Sequence, residues 1–133
     1  MAIIIGILLA ISVGVFGTLV GLDRDRSFYP TITIVIASLY VLFAVMGNST
    51  HALWIELVIC AFFVGGAVAG FKGSLWIVVA ALAGHGFQDF VHTNYISNPG
   101  VPIWWPGFCG SYDVVAAIYL AWVIRSGRVQ AAV

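Results

Sequence analysis

Five apolar runs of roughly bilayer-crossing length take up most of this chain: Ile3 to Leu22, about Pro30 to Met46, Ala52 to Phe71, Leu75 to about Val91, and about Gly107 to Ile124. Hydrophobic residues make up 62% of the chain and charged residues 8%. A soluble domain carries roughly 25% charged residues, so only lipid can solvate so much apolar surface on a chain this short. The runs predict an all-α membrane protein, a bundle of five transmembrane helices forming a single domain over residues 1–133. A net charge of zero points to no nucleic-acid partner. The first run has neither a basic leader nor a small-residue cleavage site before Asp23, which predicts a retained helix rather than a signal peptide.

The breaks between runs carry the orientation. Lys and Arg concentrate on the cytoplasmic side of short loops. With five spans, Arg24, Arg26, Lys72, Arg125 and Arg128 all fall on one side, and Met1, the 47–51 turn and the 93–106 loop on the other. This predicts an outside N-terminus, a cytoplasmic C-terminus and a multi-pass protein of a bacterial inner membrane. Tryptophans favour interfaces, and Trp76 and Trp122 fall at inner helix ends, Trp54, Trp104 and Trp105 at outer ones. Ser49 or Thr50 is placed to cap the third helix and Ser74 the fourth. Gly17 with Gly21, Gly66 with Gly70, and Ala80 with Gly84 form small-xxx-small pairs that allow close helix approach. Both GxxxG pairs lie toward the basic side, which predicts tight packing there and a wider outer half.

An ionisable side chain inside a span is costly and marks a functional site by default. The fourth run reads Gly84-His85-Gly86-Phe87-Gln88-Asp89-Phe90-Val91-His92. His85, Asp89 and His92 are spaced i, i+4, i+7 and share one helix face. Glu56 enters the outer half on helix three, and Asp113 ~9 Å below Gly107 on helix five. Imidazole with carboxylate suits a divalent metal such as zinc, iron or copper. His85, Asp89 and His92 are the candidate ligands, and Glu56 and Asp113 the candidate general bases toward a bound water. Three ligands along one straight helix span ~10 Å, so a single ion needs help from helices three and five. The alternative is a buried hydrogen-bonded pair that fixes helix packing. Tyr40 and Ser38 are the mid-depth polar groups of helix two.

The loop from Asn94 to Gly107 turns at Asn98-Pro99-Gly100 and lies over this cluster, either as a lid or as an interfacial connector with Trp104 and Trp105 as anchors. Cys60 and Cys109 differ by ~10 Å in reckoned depth, too far for a disulfide, and are predicted to be free. Soft-metal ligation by Cys109 remains open.

The stretch Gly84 to Cys109 resembles small bacterial multi-helix integral membrane proteins, a resemblance that implies no activity. A looser similarity is to membrane hydrolases of the alkaline ceramidase type, which hold zinc with histidines and an acid. Those have seven helices with ligands on several of them, whereas this chain has five and a different order. Three readings follow. The first is a metal-dependent membrane protein with its site facing the outer leaflet; as an enzyme, it would take a lipid-like substrate. The second is an accessory subunit of a larger membrane complex or a homo-oligomer. The third is a proton- or cation-translocating element.

Overall fold

A computed structural model describes all residues, 1–133. The chain is all-helical: α1 (Ala2–Val20), a short 3-10 turn (Leu22–Arg24), α2 (Phe28–Met46), α3 (Thr50–Lys72), α4 (Leu75–Tyr95) and α5 (Trp105–Arg125). Four of the five, α1, α2, α3 and α5, are long and apolar enough to cross a membrane. Helix α4 is comparably long, but His85, Gln88, Asp89, His92 and Asn94 dilute its apolar content.

Local chemistry sets the helix ends. The Ser49 hydroxyl accepts from the Ala52 N–H at 3.2 Å and the Ser74 hydroxyl from the Trp76 N–H at 3.4 Å, each satisfying a donor left over at a helix start. Pro30 and Pro106 stand in first turns, where a missing N–H costs nothing. Gly21 ends α1 in the left-handed conformation, φ 89°, which any other residue would adopt under strain. Gly21 is therefore a cap rather than the second half of a packing pair with Gly17. The apolar count stops α4 near Val91, yet the helix continues to Tyr95, where the Ile96 N–H still reaches the His92 carbonyl at 2.8 Å. Backbone bonding, not lipid contact, sets the length of a helix.

The helices pack in the order α1, α5, α4, α3, α2, with α2 closing back onto α4. Helix α4 is thus central. Its buried stripe is Leu75, Val78, Leu82, His85, Asp89 and His92, every third or fourth residue, the seam spacing of packed helices. The antiparallel α5 presents Cys109, Asp113, Ala116, Leu120 and Val123 with the same rhythm. Where α4 begins and α5 ends, the seam is apolar. Toward the far end both stripes turn polar together.

The closest helix approach lies in that polar half. A Cβ on Gly86 would stand 2.9 Å from the Gly110 carbonyl oxygen, and one on Gly110 3.0 Å from that of Gly86. A Cβ on Gly6 of α1 would collide with the Phe108 carbonyl and the Ser111 hydroxyl. The expected wide outer half is therefore closed: glycines on α1, α4 and α5 draw those helices together beside the ionisable residues. Of the GxxxG in α3, Gly70 packs tightly on Val78, while a Cβ on Gly66 would make only ordinary contact with Ala81 at 3.5 Å.

At the opposite end, basic side chains tie segments together. Arg128 donates through Nε to Asp23 Oδ2 at 2.8 Å and through Nη2 to the Thr18 carbonyl, and the Thr18 hydroxyl donates to Asp23 at 2.8 Å. Burial pushes the Asp23 carboxyl up, but the hydrogen bonds from Arg128 and Thr18 outweigh it and hold the group below the usual carboxylate range. Arg26 donates to the carbonyls of Gly70, Phe71, Gly73 and Gln130, capping the last turn of α3. The C-terminal residues cross the start of α4, where the Leu75 N–H meets the Ala131 carbonyl at 2.7 Å.

Candidate metal centre

The two polar half-seams meet at His85. Its Nδ1 lies 2.7 Å from Asp113 Oδ2 and 3.5 Å from Asp89 Oδ2, with all three side chains at most 2% exposed. Cys109 closes the group from the next turn of α5. One ligand atom from each of His85, Asp89, Cys109 and Asp113 falls within 4.8 Å of every other. Four donors around zinc at about 2.0–2.3 Å sit somewhat closer than this, so a modest contraction would bring them to bonding distance. The Gly86–Gly110 contact explains the juxtaposition: each glycine is the chain neighbour of a donor, His85 and Cys109 respectively.

The surroundings are buried and aromatic. The ring of Phe63 on α3 meets His85 edge-on at 4.7 Å, and Tyr40 lies 6.1 Å from it. Both Asp89 oxygens and Asp113 Oδ1 are buried without a hydrogen-bond partner. An unpartnered buried carboxylate oxygen costs several kcal/mol in order of magnitude. No Lys or Arg side chain pairs with either carboxylate. A cation at the centre of the four donors would engage one oxygen of each carboxylate.

A second pair lies beside the first. His92 Nε2 is 2.7 Å from Glu56 Oε1. Asn98, from the connector, donates its amide to the same oxygen at 3.0 Å and to the Tyr40 carbonyl at 3.1 Å. The Tyr40 ring stacks on His92 with centroids 4.2 Å apart. The connector therefore plugs the bundle with Asn98. Gly100 fixes its seat, for any side chain there would strike the Phe43 carbonyl.

Of the residues singled out by sequence, the structure brings His85, Asp89 and Asp113 together. It pairs His92 with Glu56 outside that group of four. Asp113, read as a base, is one of the converging donors. Glu56, read likewise, has one oxygen occupied by His92 and Asn98 while its Oε2 has no partner. Ser38 is exposed. Cys60 and Cys109 are both free thiols. Sequence reasoning left Cys109 open and named Tyr40 only for its depth. Their spacing one turn from Asp113 and three turns from Tyr29 along buried stripes was the available signal.

No known protein family, curated protein or solved structure matches this chain.

Proposed function

We propose that this is a five-span membrane protein, N-terminus outside and C-terminus cytoplasmic as in a bacterial inner membrane, whose core binds a divalent transition metal through His85, Asp89, Asp113 and Cys109. The observation that carries this reading is the convergence of four buried donors, two of them carboxylates with unpartnered oxygens. The two carboxylates and the Cys109 thiolate, whose proton metal binding would displace, are the anionic donors, and the His85 nitrogen completes four-coordination. That donor set favours zinc, with iron next, over the all-oxygen sites of magnesium or calcium. Helix α4 joins the other four as a span because its ionisable groups, His85, Asp89 and His92, face inward. Its exposed positions include Trp76, Ile77, Phe87 and Phe90, a surface suited to lipid.

The same geometry favours a structural or sensing centre over a lipid hydrolase. The larger surface grooves do not reach His85, Asp89 or Asp113. One apolar groove between α1, α2 and α5 is lined by Cys109, and a lipid-like substrate would meet the centre only there. Translocation is also disfavoured, because the α4–α5 seam below His85 is apolar as far as Leu75 and Val123.

Elemental analysis of protein purified without chelator tests the reading. About one zinc or iron per chain is expected, lost in Asp89→Asn and in His85→Ala. Cys109→Ser should retain a metal but bind it more weakly, since oxygen replaces the soft donor. Removal by chelator should lower the melting temperature, because metal that binds only the folded chain stabilises it. Metal-free wild type, unmoved by added zinc or iron, would reduce the cluster to a hydrogen-bonded packing device.

A further inference from the structure

A groove of about 210 Å³ lies between α2 and α3 at the basic end of the bundle, lined by Ser27, Pro30, Thr31, Ile34, Ala67, Val68 and Phe71. Its walls are graded. Ser27 and Thr31 supply the polar part of the lining, Ser27 beside the Asp25 carboxylate. Ile34, Ala67 and Val68 make the deeper part apolar. The head is bridged by Arg26, next in sequence to Ser27, whose guanidinium donates to the Phe71 carbonyl of the opposite wall at 3.0 Å.

Charge at this head is unbalanced. Arg26 is bound by neutral carbonyls alone and makes no ion pair. Lys72, beside Phe71, and Arg24 are exposed and form no salt bridge. Asp23 is taken up by Arg128. The one other acid of this segment, Asp25, is exposed and accepts from the Ser27 N–H at 2.8 Å. Three cations and one free carboxylate therefore belong to the chain segments that flank this groove, Arg24, Asp25 and Arg26 before Ser27 and Lys72 after Phe71.

We propose that this groove is a binding site for an anionic phospholipid, with its phosphate at Arg24, Arg26 and Lys72, its ester region at the Ser27 and Thr31 hydroxyls, and an acyl chain along Ile34, Ala67 and Val68. Anionic headgroups attract basic residues at a membrane surface, and the graded walls match the order of groups along a phospholipid. The site depends on immersion in a bilayer but not on occupancy of the buried metal centre, which lies in the other half of the bundle.

The test uses the full chain, delipidated in neutral detergent, with phosphatidylglycerol or phosphatidylcholine added back. Bound lipid is counted by native mass spectrometry and stability followed by thermal melting. One phosphatidylglycerol should be retained per chain, raising the melting temperature above that with phosphatidylcholine. The double variant Arg24→Gln/Lys72→Gln, which spares the Arg26 cap, should weaken the phosphatidylglycerol preference by roughly 30-fold at most, each surface cation favouring anionic lipid by about fivefold. Val68→Trp, at a half-exposed groove wall, should abolish retention of the bound lipid while leaving the charges in place. Equal binding of the two lipids by wild type overturns the proposal, as does a preference that survives both variants. Metal content should be unchanged throughout, so failure here and failure of the metal reading are separately visible.

Discussion

Among single residues, the glycines at the α4–α5 crossing have the sharpest consequences. Gly86 leaves no room for a methyl group, because the nearest atom is backbone, the Gly110 carbonyl oxygen at 2.9 Å. Gly86→Ala must push the helices apart and so draw His85 and Asp89 away from Cys109 and Asp113. Overpacking of this kind typically costs about 1–3 kcal/mol, and the metal content should fall with it. Gly65 has nothing within 4 Å of its ideal Cβ, so Gly65→Ala should leave both melting temperature and metal content unchanged or slightly raised. Equal behaviour of the two variants would mean the crossing is not what assembles the donors. Asn98→Ala is a second residue-level expectation. It removes a donor from Glu56 and from the Tyr40 carbonyl and should destabilise by about 1–3 kcal/mol, read by thermal melting, without loss of metal, since Asn98 touches none of the four donors.

Individual elements were legible to very different degrees. The five helices follow from apolar runs and caps, and the inward face of α4 follows from the three-and-four spacing of His85, Asp89 and His92. Partnership between helices does not. Depth counted from the start of each helix places Cys109 near the surface, because such counting carries no information on how far α4 and α5 slide past one another. The Gly86–Gly110 contact sets that offset, and a contact between helices leaves no spacing pattern within either one. For the same reason His92 and Asp89, neighbours on one face, proved to have different partners. The rim was read only as a charge count, although Asp23 and Arg128 lock the end of α1 to the segment after α5. Because the Asp23 carboxyl is held below its ordinary value, this lock stabilises fully above the pKa of an unfolded aspartate, about 3.9. It is lost as pH falls through the lower folded value. Asp23→Asn should therefore melt below wild type at neutral pH, with the gap narrowing only as the medium becomes more acidic than about pH 4. A gap independent of pH would assign the effect to packing rather than to charge.

At the scale of the whole molecule, the two ends of the bundle are chemically opposite, and that asymmetry fixes the remaining expectation. All five basic side chains belong to segments at one end, the start of α2 and α4 and the ends of α1, α3 and α5. The His, Asp, Glu and Cys donors lie in the other half, beneath the connector that carries Asn98. Positive charge in short loops resists translocation, so the basic end should stay in the cytoplasm and the connector should face outward. A reporter fused after Arg128 should read as cytoplasmic, and tags in the 47–51 turn or after Asn98 should be reachable by a membrane-impermeant label. Neutralising Arg24, Arg125 and Lys72, the three that hold no internal partner, should produce a mixed population, because the bias would then rest on Arg26 and Arg128 alone. Inversion of the wild type would place the donors toward the cytoplasm. Their geometry would be unchanged, but the cluster beneath the connector would then lie toward the cell interior rather than the outside. Labelling of the connector thus decides which side of the membrane the donor cluster faces, independently of whether an ion occupies it.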